Sequence, residues 1–323
     1  MDALSDVLRA VRLTGAVFFD VRASEPWVAE APSSAAIIDR CFPEAQHLVH
    51  YHVVTDGRVW AGLGDGGASV QLEAGDVIVF PHGDAHVLGS APGVRGTLDL
   101  ARFDAVRSAP RPFAIAMGEG TATSAHFVCG FLTCDARPFN PLLSALPRVM
   151  HVRGAQGGAT EALVRFALAE GEDRRPGSDI VLGRLSELMF LDVVRRYLAS
   201  LPPDRTGWLA GLQEPFVGRA LAALHRDPTR DWTIESLARE VALSRSALAE
   251  RFTQLVGLPP MQYLANWRMQ LAANHLLAGT DSVATIADRV GYESEAAFSR
   301  AFKKVVGAPP GVWRKHRMQA ARA

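Results

Sequence analysis

The stretch ALSRSALAERFTQLVGLPP, residues 242–260, returns one residue longer as GYESEAAFSRAFKKVVGAPP, residues 291–310. Each copy has a turn residue, a Ser, an apolar position four residues before a Phe, then Val-Gly and a Pro-Pro pair. The offset is 49 residues before the turn and 50 after it, so the second turn carries one inserted residue. A duplication this close restricts the C-terminal part of the chain to two equivalent subfolds.

The first copy predicts a short helix from Ile234 to Val241, a tight turn, and a second helix beginning near Ser244. Ser is a good cap there, because its hydroxyl accepts an otherwise unpaired backbone N–H. Ala238 is small enough for two helices to cross closely, and Val241, Leu248, Phe252 and Leu255 fall on the inward face. This is helix-turn-helix spacing. In the second copy Ala287, Val290, Phe298, Phe302 and Val305 take the matching places, with Gly291 in the turn and Ser294 as the expected cap. Between the copies, PMQYLANWRMQLAANHLLAG reads as one helix. At about 1.5 Å per residue it spans roughly 27 Å. Two elements entering successive major grooves on one face of DNA must lie about 34 Å apart. The connecting helix and the bulk of each head supply that distance, so the doubling reads as two heads, one per groove. The alternative is a plain helical bundle, which gives the duplication and the caps no purpose.

Charge points the same way. The chain is neutral overall, with 34 basic and 34 acidic residues, yet residues 214–323 hold 15 Lys or Arg against 10 Asp or Glu. All three lysines, Lys303, Lys304 and Lys315, lie in that part. A basic segment on a neutral chain favours a polyanion, nucleic acid first; the bland reading is a solvated face.

The chain before residue 152 has a different grammar. AVFFDV, HLVHYHVV, RVWAGL, ASVQL, DVIVF, HVLG, GTLDL and HFVCGFLTC are short apolar runs separated by Gly, Pro and Asp. Such runs predict an all-β sandwich or barrel. ATEALVRFALAEGE and DIVLGRLSELMFLDVVRRYLAS then turn helical, the second with a stripe of Ile180, Leu182, Leu185, Leu188, Leu191 and Val194. LPPDRTG breaks the helix and reads as a linker. The expected organisation is α+β with two domains: a β-barrel over 1–155, a helical relay or dimerisation region over 156–205, and an all-α domain with two helix-turn-helix motifs over 206–323. With 323 residues, two domains fit the usual size. The longest uncharged stretch, Phe252 to Trp267, holds two prolines and is too short for a membrane helix, which needs roughly 18 to 20 residues. The acidic start MDALSDVLRA is unlike a signal peptide. Three cysteines fit a reducing compartment better than a disulfide framework. Together these predict a cytoplasmic protein without a membrane partner.

The stretch RMQLAANHLLAGTDSVATIADRVGYESEAAFSRAFKKVVGAPP resembles the signature of the AraC/XylS family of bacterial transcription regulators. The resemblance covers roughly the last hundred residues. It implies a seven-helix, two-headed domain on double-stranded DNA, with base-facing side chains early in each second helix. Those positions are Arg245, Ser246, Ala249 and Glu250 in the first head, and Glu295, Ala296, Ser299 and Arg300 in the second. Arg300 stands where the pattern often has a base reader, and an Arg contacts guanine O6 and N7 bidentately. The first head has Glu250 there, which accepts from cytosine N4 and repels phosphate. Lys303, Lys304, Arg314 and Lys315 are the candidates for phosphate contacts, which position without specifying. The family also implies contact with RNA polymerase, and activation more often than repression.

VQLEAGDVIVFPHGDAHVL is similar to the second motif of cupin barrels, and HLVHYHVVTDGRVWAGL to a degenerate first motif. With the two heads, nearly the full length resembles AraC-type regulators carrying a cupin sensor, so an unknown small-molecule effector is expected. Counting back from Gly57, His50 falls where metal-binding cupins place a Glu, and the usual upstream His-x-His is replaced by CFPEAQ. His50 and His52 share one face of a strand, His86 matches the second-motif histidine, and Cys41 is a further donor. Such a set suits a divalent ion such as zinc; the alternative is a metal-free pocket lined by histidines. His47 and His82 fit less well. Cys129 and Cys134 on one strand would stand about 16 Å apart, too far for a disulfide, which needs Cα atoms within about 7 Å. Cys41 with either of them offers a redox pair; the alternative is a buried apolar thiol.

The leading reading is a sequence-specific regulator whose cupin domain senses a small molecule, metal or redox signal, with a homodimer supported by the helical stripe. The competing reading is a cupin-type metal-dependent oxygenase or isomerase with a helical tail. It requires a complete metal triad, and the sequence offers an incomplete one. No nucleophile triad, P-loop or dinucleotide fingerprint is present.

Overall fold

A computed structural model describes residues 2–104, 113–154, 158–173, 175–202 and 205–320. Pro203 and Asp204 of the predicted linker, and residues 155 and 156 at the first expected boundary, lie outside the described residues. The chain forms two compact units, and neither is continuous in sequence. One comprises Leu13–Cys134 and Leu146–Ser200; the other comprises Met1–Arg12, Asp135–Ala145 and Leu201–Ala323. Two short segments that the sequence reading placed with the barrel thus group with the C-terminal helices.

Among the described residues the first unit has nine strands: β1 (Thr14–Ala23), β2 (Val28–Ala31), β3 (His47–Leu63), β4 (Val70–Glu73), β5 (Val77–Phe80), β6 (His86–Gly89), β7 (Phe113–Met117), β8 (Ala125–Cys134) and β9 (Met150–Val152). The sheet runs β2-β6-β3-β8-β1-β7, with β4 and β5 also on β3 and β9 on β5. Only the β1–β7 pair is parallel among the described strands. Within this unit lie α2 (Ser34–Cys41), α3 (Ala101–Asp104), α5 (Ala159–Asp173) and α6 (Ser178–Ser200). The core is apolar, with Trp27, Leu48, Leu72, Ile78, Phe80 and Phe127 all nearly inaccessible.

The sequence predicts two strands across HLVHYHVVTDGRVWAGL, with a turn at Asp56-Gly57. Instead β3 runs through all 17 residues. The register against β8 shifts between Val54 and Asp56, and Gly57 takes a left-handed φ of 74°. A Cβ there would lie 2.0 Å from the Ser124 carbonyl oxygen. The turn signal therefore marks a bulge that lets the strand bend without ending. GTLDL forms no strand. The α6 stripe also differs from expectation. Leu182, Leu185, Met189, Phe190, Val193 and Val194 are buried, while Ile180 and Leu188 are 71% and 49% exposed. Ser186, a polar residue, sits on the buried face because its hydroxyl meets Tyr51 Oη at 2.8 Å.

The second unit is helical: α1 (Ala3–Ala10), α4 (Pro141–Ala145), α7 (Trp208–Gln213), α8 (Pro215–Arg226), α9 (Ile234–Glu240), α10 (Arg245–Val256), α11 (Pro260–Ala278), α12 (Val283–Arg289), α13 (Glu295–Val306) and α14 (Pro310–Ala320). Its non-sequential segments are fastened by polar bonds. Gln270, wholly buried on α11, donates to the Ala10 carbonyl at 3.1 Å and accepts from the Phe139 N–H at 3.0 Å. Asn274, one turn on, donates to the same Ala10 carbonyl at 2.8 Å. Arg12 forks onto Asp135 at 2.6 and 2.9 Å.

Candidate functional site

The two heads are built from the same local devices. Thr233 caps α9 by accepting from the Ser236 N–H, and Ser282 caps α12 by accepting from the Thr285 N–H. Ser244 and Ser294 cap α10 and α13, each accepting from an N–H three residues on at 3.2 Å. Both second helices are 12 residues long and end on a left-handed glycine, Gly257 or Gly307. A proline then opens α11 and α14. At the turns the copies diverge: Ala242 holds φ 58° in the first, and Gly291 holds φ 78° in the second. The one extra residue follows Gly291, and the helices recover the same register.

Leu248 and Phe252 face inward from α10, as Phe298 and Phe302 do from α13, and all four are inaccessible. That leaves the opposite faces in solvent. Arg245, Ser246 and Glu250 are exposed and Ala249 half-buried; Glu295, Ala296 and Arg300 are exposed and Ser299 half-buried. Arg245 forms an ion pair with Glu235 at 3.0 Å, both ends in water. Arg300 forms no ion pair among the described residues, so its guanidinium is uncommitted. Lys303, Lys304 and Lys315 are exposed. Arg314 departs from its expected role. It is half-buried and donates to the Asp281 carbonyl at 2.7 Å, which ties α14 to the start of α12 instead of presenting a free cation.

A residue the sequence reading missed joins the heads. Arg268 on α11 donates to the Pro228 carbonyl at 2.6 Å and the Arg230 carbonyl at 2.9 Å, beside the first head. The same guanidinium lies 5.8 Å from the Tyr292 ring centre, in the second. Gly291 is pressed against Thr229, where a Cβ would come within 2.8 Å of a backbone oxygen. Nothing in the spacing of Arg268 reveals this, because its partners are 38 and 40 residues away.

The first head also carries a buried polar chain. Trp208 Nε1 donates to Tyr263 Oη, and that hydroxyl is hydrogen-bonded to His225 Nε2, both at 2.8 Å. Burial lowers the His225 pKa to about 3, so the ring is neutral at pH 7. The second head's core is apolar throughout: Met269, Ala272, Leu276, Ile286, Ala287, Val290, Phe298 and Phe302.

In the β unit a cavity of about 530 Å³ opens between the strands. Phe19, Phe113, Met117, Phe127 and Phe131 line it together with His50, His52 and His86. β3 brings the first two there: His50 pairs with Phe80 and Phe131, His52 with Ile78 and Cys129. His86 starts β6 and stacks on Phe80 with ring centres 3.9 Å apart. Burial lowers the pKa of all three rings, His86 to about 4, so all are neutral at pH 7. Cys41, in contrast, donates its thiol to the Phe103 carbonyl at 3.3 Å and is not among the lining residues. His47 and His82 turn to carbonyls, of Pro81 and Leu146.

These residues do not fit a metal. Among the described residues no group of three His, Cys, Asp or Glu could hold one. His52 Nε2 and His86 Nε2 lie 2.7 Å apart in a hydrogen bond. Two nitrogens on a tetrahedral zinc, at bonds of about 2.0–2.1 Å, stand roughly 3.3 Å apart. His50 spends its Nε2 on Ser34 at 3.2 Å, a partner the sequence reading did not find. Of the redox candidates, Cys129 lines the cavity. No cysteine is in a disulfide, and the Cys129 thiol is pushed up to about 12, first by burial and then by Asp20. A thiol at that value is almost wholly protonated at neutral pH, and the thiolate is the reactive form.

Two family models match the chain: a cupin over residues 2–199 and a helix-turn-helix domain over 237–316. An AraC-like transcription regulator from Streptomyces lividans is 33% identical over 98% of this chain and 99% of its own. The HTH-type transcriptional regulator AlkR of Acinetobacter baylyi is 30% identical over 98% of this chain and 99% of its own. Among solved structures, the DNA-binding domain of AdpA in complex with a target DNA is 27% identical, covering 32% of this chain and 91% of that one at TM-score 0.31. These full-length relatives are regulators and not enzymes, so the oxygenase or isomerase alternative falls. From the paired heads and from relatives that span nearly its whole length, the chain belongs to the AraC-like family of DNA-binding transcription regulators.

Proposed function

We propose that the protein reads two adjacent major-groove segments of a promoter with α10 and α13, and that a small molecule in the β-unit cavity alters that binding. The observation carrying this reading is the pair of equally capped, equally long helices whose opposite faces are buried and exposed alike. Arg300 is the principal base reader, supported by Glu295, Ala296 and Ser299; Arg245, Ser246, Ala249 and Glu250 take the corresponding places in the first head. Lys303, Lys304 and Lys315 contact phosphates. RNA polymerase and a second copy of the chain are the protein partners of this reading, which operates in the cytoplasm. Phe166, Ile180 and Leu188, exposed on α5 and α6, are the surface offered to the second copy. Among the described residues no helix is long and apolar enough to cross a membrane.

The test is selection of genomic fragments by the purified protein, sequenced at low and raised salt. Two short blocks about one helical turn apart, retained at raised salt, are expected. Smooth enrichment that vanishes with salt would mean phosphate attraction alone and would sink the reading.

A further inference from the structure

The two heads lie in one compact unit, and α11 runs from the first into the second. Its first half packs in the first head. The Tyr263 and Phe252 rings meet edge-on with centres 5.8 Å apart, and the Trp267 ring lies 4.2 Å from that of His225. Its second half packs in the second head, where Met269, Ala272 and Leu276 enter the apolar core. The hand-over falls between Trp267 and Met269, and Arg268 is the residue at it. A helix shared by two bodies is one line of attachment. It sets their separation along its axis, but small repacking at its surface lets each body shift about it.

A second attachment lies off that axis. The loop before α9 is bonded to itself. Buried Trp232 donates its Nε1–H to the Asp227 carbonyl at 2.8 Å, and the Asp227 carboxylate accepts from the Arg230 N–H and the Thr229 hydroxyl, both at 3.2 Å. This loop turns the Pro228 and Arg230 carbonyls to the Arg268 Nε and Nη2 groups, at 2.6 and 2.9 Å. The turn of the second head is tied down as well. The Tyr292 N–H donates to the Ala287 carbonyl at 2.9 Å, and the Tyr292 ring meets Phe298 edge-on with centres 5.7 Å apart. The Arg268 guanidinium reaches that ring, and Gly291 lies against Thr229 with no room for a Cβ. A guanidinium holds its donors in a rigid plane, and hydrogen bonds from a cation are stronger than neutral ones. Loop, Arg268 and turn together brace two bodies that α11 alone leaves able to shift.

We propose that Arg268 is a positioning residue for DNA specificity: it braces the first head against the second, so that α10 and α13 hold one separation and one relative rotation before DNA arrives, and the protein accepts one spacing between its two sequence blocks. This rests on the reading of α10 and α13 as the groove-entering helices and adds what fixes the distance between their sites. Each base pair added between the blocks moves the second about 3.4 Å along the DNA axis and turns it by about 34°. A braced pair of heads cannot follow that change, whereas an unbraced pair follows part of it.

The test uses the full-length protein. A two-block site is selected from a random-sequence duplex library. Kd is then measured on that site, on versions with one base pair inserted or removed between the blocks, and on a duplex carrying a single block. For the unmodified protein either change of spacing is expected to weaken binding at least about thirtyfold, because the heads no longer engage together. Arg268→Met keeps the aliphatic stem and removes the donors and the charge. There the loss should shrink to about fivefold or less, since a frame free to shift regains part of the second contact. Single-block affinity should stay within about twofold of the unmodified value, Arg268 being remote from both reading faces. Tyr292→Leu, at the other end of the brace, should move the ratio the same way, and it decides the matter if Arg268→Met does not fold. The readout is a ratio of Kd values on one sample, so a variant that is merely less stable scales every Kd alike and leaves the ratio unchanged. An unmodified protein that binds all three spacings alike overturns the proposal. A folded Arg268→Met with the unmodified ratio also overturns it, since α11 alone would then set the spacing, and the reading of the two heads would stand. Selection of no two-block site would instead sink that reading, and the role of the brace with it.

Discussion

The two heads share a skeleton and differ in what they expose. Buried positions repeat: Val241 and Val290, Leu248 and Phe298, Phe252 and Phe302. Caps, helix lengths and terminal glycines repeat with them. The outward faces do not. The second head presents an uncommitted Arg300 followed by Lys303 and Lys304; the first presents Glu250 and an Arg245 already paired with Glu235. Duplication conserved the geometry that aims a helix, and left each helix free to acquire its own reading surface. On the proposed reading the second head is therefore the stronger electrostatic anchor, and the first attracts DNA less.

The turns offer the sharpest way to break this equivalence. Gly291→Ala forces a Cβ into left-handed backbone and against the Thr229 oxygen, and should cost about 2–4 kcal/mol in denaturant unfolding. Ala242→Gly, at the matching turn, relieves strain and should leave stability within about 1 kcal/mol. Similar losses at both turns would show that the second is not specially constrained. On DNA, Arg300→Ala should weaken the selected site by about 1–3 kcal/mol and relax one base position. Unchanged site selection would mean that α13 is not the reading helix. Acid should separate the heads next. The pKa of His225 is lowered on folding, so its contribution is complete above the unfolded value of about 6.5. It is lost as pH falls toward about 3, at about 1.4 kcal/mol per unit. Hydrogen exchange between pH 7 and 5, corrected for intrinsic rates, should show α8 losing protection before α13. Simultaneous loss would contradict a local origin. The smallest effect is that of Lys303→Ala, which should weaken all sequences alike and reduce the salt slope by about one.

Much of this was legible in the sequence because it rests on short-range rules. The Ser caps, the Val241 to Phe252 spacing and its echo at Val290 to Phe302 are local, and the two strands of the cupin motif form as β4 and β5, with His86 opening β6 after them. What failed was long-range. Asp56-Gly57 looks like a hairpin turn, but Ser124 on a neighbouring segment decides that the backbone bulges. Ile180 and Leu188 satisfy a helical stripe, yet the face that buries is set by Tyr51, which draws in Ser186. Arg314 reads as a surface cation until the Asp281 carbonyl is placed beside it. The cluster of His50, His52 and His86 was found, but its chemistry depends on Ser34 and Asp84 as partners, and no spacing rule names them.

The bonds that Gln270 makes to residues 10 and 139 have a consequence for how such regulators can be recombined. A cut at residue 201 yields a tidy pair of DNA-reading heads in sequence, but it strips both ends of a fully buried amide and leaves Asn274 without its carbonyl. Grafting these heads onto another sensor, in the laboratory or in evolution, would require the graft to bring a first helix and a 135–145 equivalent with it. In this chain the helical module is three pieces of sequence fastened by Gln270, Asn274 and the Arg12–Asp135 fork, and a single joint does not release it whole.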